Sequence, residues 1–195
     1  MWDERYASPD YVYGTEPNDF LASVASRIPQ GRLLSIADGE GRNGVYLATL
    51  GHEVTSVDAS AVGLGKAQQL AASRGVHITT TVADLAEYPI APGAWQGIVS
   101  IFCHLPPPLR RKVHADVVRG LSRGGVFVLE GYSVNQLRHG TGGPNAADLL
   151  LTRDGIREEL AGLEFLHAQE VERNVQEGAF HSGRSAVVQV LARKP

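Results

Sequence analysis

The sequence predicts an α/β protein with a doubly wound, mostly parallel sheet that ends in an antiparallel β-hairpin. Three observations lead to this fold. Short apolar runs alternate with segments of helical periodicity along most of the chain, which is typical of serial β-α units. A glycine-rich turn over residues 38–44 separates the first apolar run from a helical pattern. Two strand-like segments close the chain with no helical pattern between them, which favours a hairpin.

The first half of the chain is predicted to contain three helices and three strands. A helix opens the domain, because apolar residues recur at helical spacing after Pro17. The three strands are short apolar or β-branched runs over residues 32–37, 53–58 and 76–82. Two helices connect these strands, one over residues 41–50 and one capped by Ser60.

The second half is predicted to contain two further parallel strands, two helices and the hairpin. The strands cover residues 95–102 and 126–130, and a helix follows the prolines at 106–108. Residues 132–148 are rich in Gly and Asn and long for a connector, which favours a lid or binding loop. A short helix around Ile156 precedes the hairpin strands, which cover residues 165–173 and 184–192.

Composition favours a single domain and disfavours several classes of partner. A chain of 195 residues can bury one sizeable core, so we expect one domain over residues 1–195, with an arm and helix over residues 1–30. A net charge of -3 disfavours nucleic acid. The single cysteine, Cys103, and the lack of a signal-peptide pattern or a long apolar run predict a cytoplasmic protein with no membrane partner.

Polar residues follow the second and third predicted strands at the edge of the sheet where ligands of such folds bind. Asp58 ends the second strand, where a carboxylate can accept hydrogen bonds from both hydroxyls of a ribose; a helix cap or a solvated acid is the alternative. Asp84 and Leu85 follow the third strand, where they would suit the edge and the face of an adenine; an ordinary loop aspartate is the alternative.

The glycine-rich turn literally spells a dinucleotide fingerprint with Gly39, Gly41 and Gly44. Asp38 and Glu40 would repel a pyrophosphate, and the chain has little room for a second domain, so an NAD-dependent oxidoreductase is the less favoured alternative. We expect Asp38 to face a cationic group while the loop amides favour a carboxylate, which together suit a zwitterionic amino-acid tail. The other alternative is that the two acids only cap the following helix.

Motifs along the whole chain resemble those of class I S-adenosylmethionine-dependent methyltransferases, most closely the small bacterial tellurite-resistance and thiopurine-type branch. They are WDERY, YVYGTEPNDFL, LLSIADGEGRNGVYLA, VTSVDAS, TVADL, IVSIFCHLP, LSRGGVFVLEGY and GAFHSGRSAVVQVLARKP. The resemblance implies a seven-stranded, Rossmann-like methyltransferase fold. It also implies S-adenosylmethionine as cofactor, S-adenosylhomocysteine as product, a small-molecule acceptor such as a thiol or a metalloid oxyanion, no metal, and a monomer.

The resemblance also implies which residues bind the cofactor. They are Ala37, Asp38, Gly39, Glu40 and Gly41 for the methionine moiety, Asp58 for the ribose, Ala59, Asp84 and Leu85 for the adenine, Ser100, Ile101 and Phe102 beside the methyl group, and Arg5, Tyr13 and Gly14 in a covering arm. Two positions depart from the family pattern, because Ser35 replaces the usual acid and Ala37 the first glycine. These departures motivate a second alternative, a cofactor-binding protein without turnover.

Methyl transfer from a sulfonium is an in-line displacement in which a general base is optional, because the methyl group is already activated. His104, after the fourth strand, and His181, at the last strand, are the candidate catalytic residues on the acceptor side. For His104 the alternative is a loop histidine that bonds to backbone. Arg138, His139 and Arg184 could draw in a small anion or form a solvated edge.

Overall fold

The computed structural model describes residues 2–178 and 181–195, except for the side chain of His181. The strands are β1 (Arg32–Ile36), β2 (Glu53–Asp58), β3 (Thr79–Val82), β4 (Trp95–Ile101), β5 (Leu121–Tyr132), β6 (Glu164–Glu177) and β7 (His181–Arg193). The helices are α1 (Trp2–Tyr6), α2 (Asp19–Val24), α3 (Arg42–Thr49), α4 (Ala61–Ser73), α5 (Pro107–Gly120) and α6 (Arg153–Glu159).

The strands form one seven-stranded sheet in the order β3-β2-β1-β4-β5-β7-β6. All neighbouring strands from β3 to β5 pair in parallel, whereas β7 runs antiparallel to both β5 and β6. The chain places β2 and β3 on one side of β1 and then returns to place β4 on the other. The order therefore reverses at the carboxyl ends of β1 and β4, which is where sheets of this kind bind ligands. The predicted fold class is confirmed.

Two apolar cores cover the two faces of the sheet. Successive residues of β1 point to opposite faces, so Leu33 packs in the core that contains Val45 of α3, and Leu34 packs in the core that contains Val113 of α5. Burial of such a side chain contributes about 1.5–3 kcal/mol, so this alternation ties helices to both faces. Among the described residues, no helix has the length and apolar character needed to cross a membrane.

Several boundaries differ from the sequence prediction. Strand β5 begins at Leu121 rather than residue 126, because a register shift against β4 lets Leu121 pair with Trp95 before the regular ladder starts at Val126. Strand β3 begins at Thr79 rather than residue 76, and the hairpin strands extend to Glu177 and His181 at its tip. The short helix α1 was not predicted.

The long segment after β5 is anchored to the sheet rather than free. It contains two 3-10 turns, over Val134–Arg138 and Ala147–Leu149. The buried side chain of Gln136 donates to Thr141 Oγ1 over 3.0 Å and accepts from the backbone N–H of Ala186 in β7 over 2.8 Å. This amide therefore fixes the middle of the segment against the hairpin.

Candidate active site

The loop between β1 and α3 lies at the switch point of the sheet, and its backbone is tightly constrained. Ala37, Gly39 and Gly41 all have positive φ, at 51°, 55° and 84°. A Cβ at Gly41 would collide with Ala67 of α4, and a Cβ at Gly39 would lie 2.6 Å from the hydroxyl of Tyr6. Both glycines are thus required for conformation and for space. Ala37 adopts the left-handed region despite its side chain, which costs about 1–2 kcal/mol.

Asp58 meets the glycine loop directly. It lies 19 residues after Gly39 in sequence, and its Oδ2 accepts the Gly39 N–H over 2.8 Å. Its Oδ1 accepts the N–H of Ser60, the residue that caps α4, also over 2.8 Å. Burial raises the pKa of Asp58, and these two backbone donors oppose that rise. The structure thus brings the predicted ribose residue and the predicted methionine loop together.

Asp38 does not face the open side of the loop, contrary to the sequence expectation. Its Oδ1 accepts from Ser35 Oγ over 2.7 Å and from the N–H of Gly44 over 3.2 Å, and its Oδ2 accepts from Ser56 Oγ over 2.6 Å. The carboxylate is therefore enclosed between β1, β2 and α3, and burial raises its pKa. The expectation that Asp38 faces an ammonium group is corrected, because its oxygens point under the loop.

Glu40 holds the N-terminal arm, which we define as residues 2–18. One carboxylate oxygen accepts from the N–H of Val12 over 2.8 Å, and the other pairs with the ammonium group of Lys66 on α4. Lys66 also donates to the carbonyl oxygens of Ser8 and Asp10, over 3.0 and 2.7 Å. The side chain of Glu40, a residue that is 4% exposed, is thus used to fasten the arm, so only the backbone of residue 40 is left to contact the methionine moiety.

The arm covers the loop and reaches the tip of the β6–β7 hairpin. Arg5 donates to the hydroxyl of Tyr13 over 3.0 Å. Gly14, at a φ of 75°, closes a turn through its N–H to the Tyr11 carbonyl, and a Cβ there would lie 3.7 Å from the backbone N of Gly178. The three predicted arm residues therefore lie over the loop side of the sheet.

Tyr6 is not among the residues predicted from the sequence, although its aromatic side chain lies inside the predicted site. The residue is 5% exposed, and its hydroxyl lies over Gly39 while its ring lies against Gly63 of α4. Burial, followed by the charge of Asp58, raises the pKa of this phenol. The WDERY motif was the available signal, since its two aromatic residues lie one helical turn apart and stack at 5.7 Å.

The predicted adenine residues lie at the ends of β2 and β3. Ala59 and Asp84 are exposed, and Asp84 Oδ1 accepts the N–H of Ala86 over 2.8 Å. Leu85 is 9% exposed and belongs to one of the two apolar cores, so only a small part of its surface is open to a ligand. This corner of the sheet is accessible, unlike the surface around Asp58.

The end of β4 carries the other predicted cofactor residues. Ser100 and Ile101 are buried, and Phe102 has a positive φ of 52° and donates its N–H to the Glu130 carbonyl over 2.7 Å. The ring of Phe102 lies 4.7 Å from that of Tyr132, between ring centres. An aromatic wall therefore forms where β4 and β5 end.

Both ring nitrogens of His104 are bonded to backbone. Because a carbonyl only accepts, Nδ1 carries the proton that is donated to the Leu149 carbonyl over 3.0 Å, and Nε2 accepts the N–H of Tyr132 over 3.3 Å. The ring also stacks on Tyr132. These contacts match the alternative given for His104, a loop histidine that bonds to backbone and fastens the segment after β5.

The remaining acceptor-side groups are also occupied or undescribed. Burial raises the pKa of the Cys103 thiol to about 12. His139 and Arg184 both approach Glu172, at 3.4 and 2.7 Å, so the predicted anion patch contains its own carboxylate. The predicted catalytic side chain of His181 lies outside the described residues.

A buried ionic cluster joins the arm, α3 and the hairpin, and the sequence reasoning did not identify it. Its members are Asn18, Arg42, Glu130, Arg173, Glu177 and Gln189. Arg42 pairs with Glu177 at 2.5 Å, and Asn18 Nδ2 donates to both Glu130 and Glu177 over 2.8 Å. The two guanidinium groups balance the two carboxylates, so the cluster can stay buried.

Cavities elsewhere do not mark this site. A cavity of about 570 Å³ lies beside Pro29, Tyr46 and His52. Pro29 precedes β1, Tyr46 lies in α3, and His52 precedes β2. These positions are at the amino ends of the strands, opposite the glycine loop. The site is instead defined by converging polar groups under the arm.

Part of the chain matches a known protein family. Residues 33–125 match the family model of a methyltransferase domain. No curated protein sequence is similar enough to this chain to count as a match.

Solved structures share the fold at low sequence identity. A structure concerned with the conversion of a disulfide bond into a thioacetal group during echinomycin biosynthesis has a TM-score of 0.78 at 17% identity, covering 98% of this chain and 87% of that one. TehB from Haemophilus influenzae has a TM-score of 0.75 at 19% identity, covering 100% of this chain and 66% of that one. The N-methyltransferase NodS from Bradyrhizobium japonicum WM9 has a TM-score of 0.68 at 18% identity, covering 98% and 95%. Residues 33–125 thus match a methyltransferase domain, and the chain as a whole shares the fold of these structures, which is the fold that the resemblance to class I S-adenosylmethionine-dependent methyltransferases implies.

Proposed function

We propose that this enzyme methylates a small, soft nucleophile, such as a thiolate or a metalloid oxyanion, without a general base from the end of β4. The observation that carries this proposal is the double engagement of His104, whose two ring nitrogens bond to the Leu149 carbonyl and the Tyr132 N–H. An amine or a hydroxyl acceptor usually needs a base to remove its proton, whereas a thiolate or an oxyanion does not.

Other groups near the end of β4 support the same acceptor class. With a pKa of about 12, Cys103 stays protonated at neutral pH, so it is neither a base nor a nucleophile there. The carboxylate of Glu130 accepts from Asn18, Arg173 and Gln189, so its oxygens are committed to the ionic cluster. In this proposal, therefore, none of His104, Cys103 and Glu130 acts as a base.

The residues fit S-adenosylmethionine, which supplies an already activated methyl group when bound. In our proposal the backbone from Ala37 to Gly41 holds the amino-acid moiety, Asp58 the ribose, and Ala59, Asp84 and Leu85 the adenine. The chemistry of the donor set supports this fit, because Asp58 is an acceptor group beside the loop while Ala59 and Asp84 are exposed at the next corner. Ser100, Ile101 and Phe102 would lie on the methyl side, and Arg5, Tyr13 and Gly14 would cover the cofactor.

In this proposal, the enzyme's contribution to the transfer is to hold the acceptor in line with the methyl group and to exclude water. The arm, fastened by Glu40 and Lys66, provides the cover over the loop. The half-buried ring of Phe102, which packs on the fully buried Tyr132, provides an apolar surface at the end of β4. Such a surface suits a polarizable sulfur or metalloid atom better than a strongly hydrated ion. The tellurite-resistance and thiopurine-type resemblance points to the same class.

The experiment is a panel of acceptors with radiolabelled S-adenosylmethionine: thiols, thiopurines, tellurite, selenite, halides, amines and alcohols. We expect transfer to soft acceptors only, with a pH dependence of kcat/KM that follows the acceptor's own pKa. His104→Asn is expected to leave the shape of that pH profile unchanged, because the histidine moves no proton. The proposal would be refuted if the enzyme methylated an amine efficiently and its pH profile of kcat/KM showed a titration step near neutral pH that was lost in His104→Asn.

Cofactor binding is tested separately. S-adenosylhomocysteine should raise the melting temperature, whereas NAD should not. Asp58→Ala should lower the affinity for S-adenosylhomocysteine by about 10- to 150-fold, since a lost charged hydrogen-bond acceptor costs about 1.5–3 kcal/mol. If neither S-adenosylhomocysteine nor S-adenosylmethionine shifts the melting temperature at millimolar concentration, the assignment of the site is wrong.

A further inference from the structure

We infer that Asp38 is a positioning residue for the cofactor loop, which it holds from beneath as a matched pair with Gly44. This inference rests on the proposed cofactor site and adds a role for both residues that their spacing in the sequence does not indicate. Asp38 touches no ligand in this view and acts through the loop backbone from Ala37 to Gly41.

The first step is that residue 38 ties three elements to the loop. Its carboxylate accepts from Ser35 in β1, Ser56 in β2 and Gly44 in α3, over 2.7, 2.6 and 3.2 Å. Its backbone N–H donates to the Val57 carbonyl over 3.2 Å, and its own carbonyl accepts the Gly41 N–H over 2.9 Å. Five hydrogen bonds therefore meet at one residue of the loop.

The second step concerns the space that the carboxylate needs. A Cβ at Gly44 would collide with Asp38 Oδ2 and lie 2.5 Å from Ser56 Oγ. Gly44 lies within α3 and is not among the residues with positive φ, so its backbone does not require glycine. Glycine inside a helix costs about 1 kcal/mol relative to alanine, so its presence here is explained by the room that it leaves for Asp38.

The third step links the carboxylate to the ligand side of the loop. The Gly39 N–H, next in sequence, donates to Asp58, the proposed ribose residue. If residue 38 moves, the Gly39 N–H turns with it, and the Asp58 carboxylate that accepts from this N–H moves as well. A shift of about 1 Å in such a site can cost about a hundredfold in rate, so the support beneath the loop matters for binding and transfer.

The test measures S-adenosylhomocysteine affinity by calorimetry, together with the melting temperature, in a mutant cycle. Asp38→Ala should weaken binding at least about tenfold. Gly44→Ala should weaken it by a similar factor in the wild-type background, but by less than about twofold in the Asp38→Ala background, because the carboxylate is then absent and the Ser56 hydroxyl, no longer bonded to it, can rotate away from the new Cβ. Ser35→Asp in the Asp38→Ala background should recover much of the lost affinity. Residue 35 contacts the Asp38 carboxylate in the wild-type protein, so an aspartate there can place its own carboxylate in nearly the same position.

Glu159→Gln is the matched control, because Glu159 is also a buried carboxylate but lies on α6, bonded to His114 and Arg110. It should lower the melting temperature and leave the affinity unchanged. If the alanine variant does not fold, Asp38→Ser replaces Asp38→Ala throughout, because serine also lacks the terminal oxygens that a Cβ at residue 44 would meet. Wild-type-like affinity in the Asp38 variant, or an equal cost of Gly44→Ala in both backgrounds, would overturn the inference. Failure of the wild-type protein to bind would instead refute the proposed cofactor site.

Discussion

Glu130 is the centre of the buried ionic cluster, and its replacement by glutamine should be among the more damaging single changes in the protein. The carboxylate has no exposed surface and accepts from Asn18 and Gln189 over 2.8 and 2.6 Å, as well as from two nitrogens of Arg173. Glutamine has nearly the same shape, but it removes the charge and turns an NH₂ group toward one of these donors. Arg173 then keeps only Glu177, at 3.1 Å, and the exposed Asp19, at 3.4 Å, as charged partners in the described structure.

The magnitude follows from this geometry. Removing one partner of a buried ion pair costs about 3–5 kcal/mol. The lower end applies here, because the side chain of Arg173 is 16% exposed and retains those partners. We therefore expect Glu130→Gln to lower the free energy of unfolding in urea by about 3 kcal/mol. For a chain of this length each kcal/mol corresponds to about 2–4 °C, so the melting temperature should fall by about 6–12 °C.

The matched control is Glu164→Gln on the same hairpin. Glu164 pairs with Arg193 at 2.5 Å, but both side chains are about half exposed. Its loss should cost less than about 1 kcal/mol. The double variant Glu130→Gln with Arg173→Met should lose less free energy of unfolding than the two single variants lose together, since no unpaired guanidinium remains. Equal effects of Glu130→Gln and Glu164→Gln, or strict additivity in the double variant, would refute the reasoning.

Three further predictions concern other parts of the structure. Gly41→Ala should destabilise the protein by at least about 2 kcal/mol in urea, and Ala67→Gly should recover part of that loss, because the new Cβ would collide with Ala67; no recovery would contradict this packing. With a pKa of about 12, the half-buried Cys103 should react with iodoacetamide at pH 8 about a thousandfold more slowly than a free thiol, and a comparable rate would contradict the raised pKa. Although burial opposes it, hydrogen bonding from His114 and a neighbouring guanidinium lowers the pKa of Glu159. Its contribution to stability is therefore full above about pH 4.3 and lost as the pH falls through the folded-state pKa, so urea titrations from pH 7 to 3 should show a flatter acid limb in Glu159→Gln.

The fold could be predicted from sequence because the spacing of apolar residues within each segment determines whether that segment is a helix or a strand. The strand that contains Leu33 and Leu34 and the cap at Ser60 are each determined by neighbouring residues, so strands and helices were located to within a few positions. Strand β5 was predicted too short, because Leu121 fits a helical pattern that the pairing with Trp95 overrides. Local patterns do not contain that cross-strand contact.

The site could be predicted only in outline. Spacing along the chain places Asp58 beside the loop, since both lie at the carboxyl ends of adjacent parallel strands. Spacing does not say which way a loop carboxylate points, so Asp38 and Glu40 were both assigned to the ligand, whereas one braces the loop and the other fastens the arm. The ionic cluster escaped prediction because its residues come from distant segments, such as Asn18 and Glu177, and no local pattern joins them.

The three glycines of the apparent dinucleotide fingerprint have different physical causes. Gly39 and Gly41 need positive φ, at 55° and 84°, so the shape of the loop requires them. Gly44 needs no such φ and is explained by the carboxylate of Asp38, which fills the position that a Cβ would take. A spacing shared with dinucleotide-binding proteins thus arises here from two loop glycines and one glycine that makes room for an acid. Asp38, the acid that would repel a pyrophosphate, and Gly44, the glycine that completes the fingerprint, are therefore parts of one arrangement. Variation at either position should be accompanied by variation at the other.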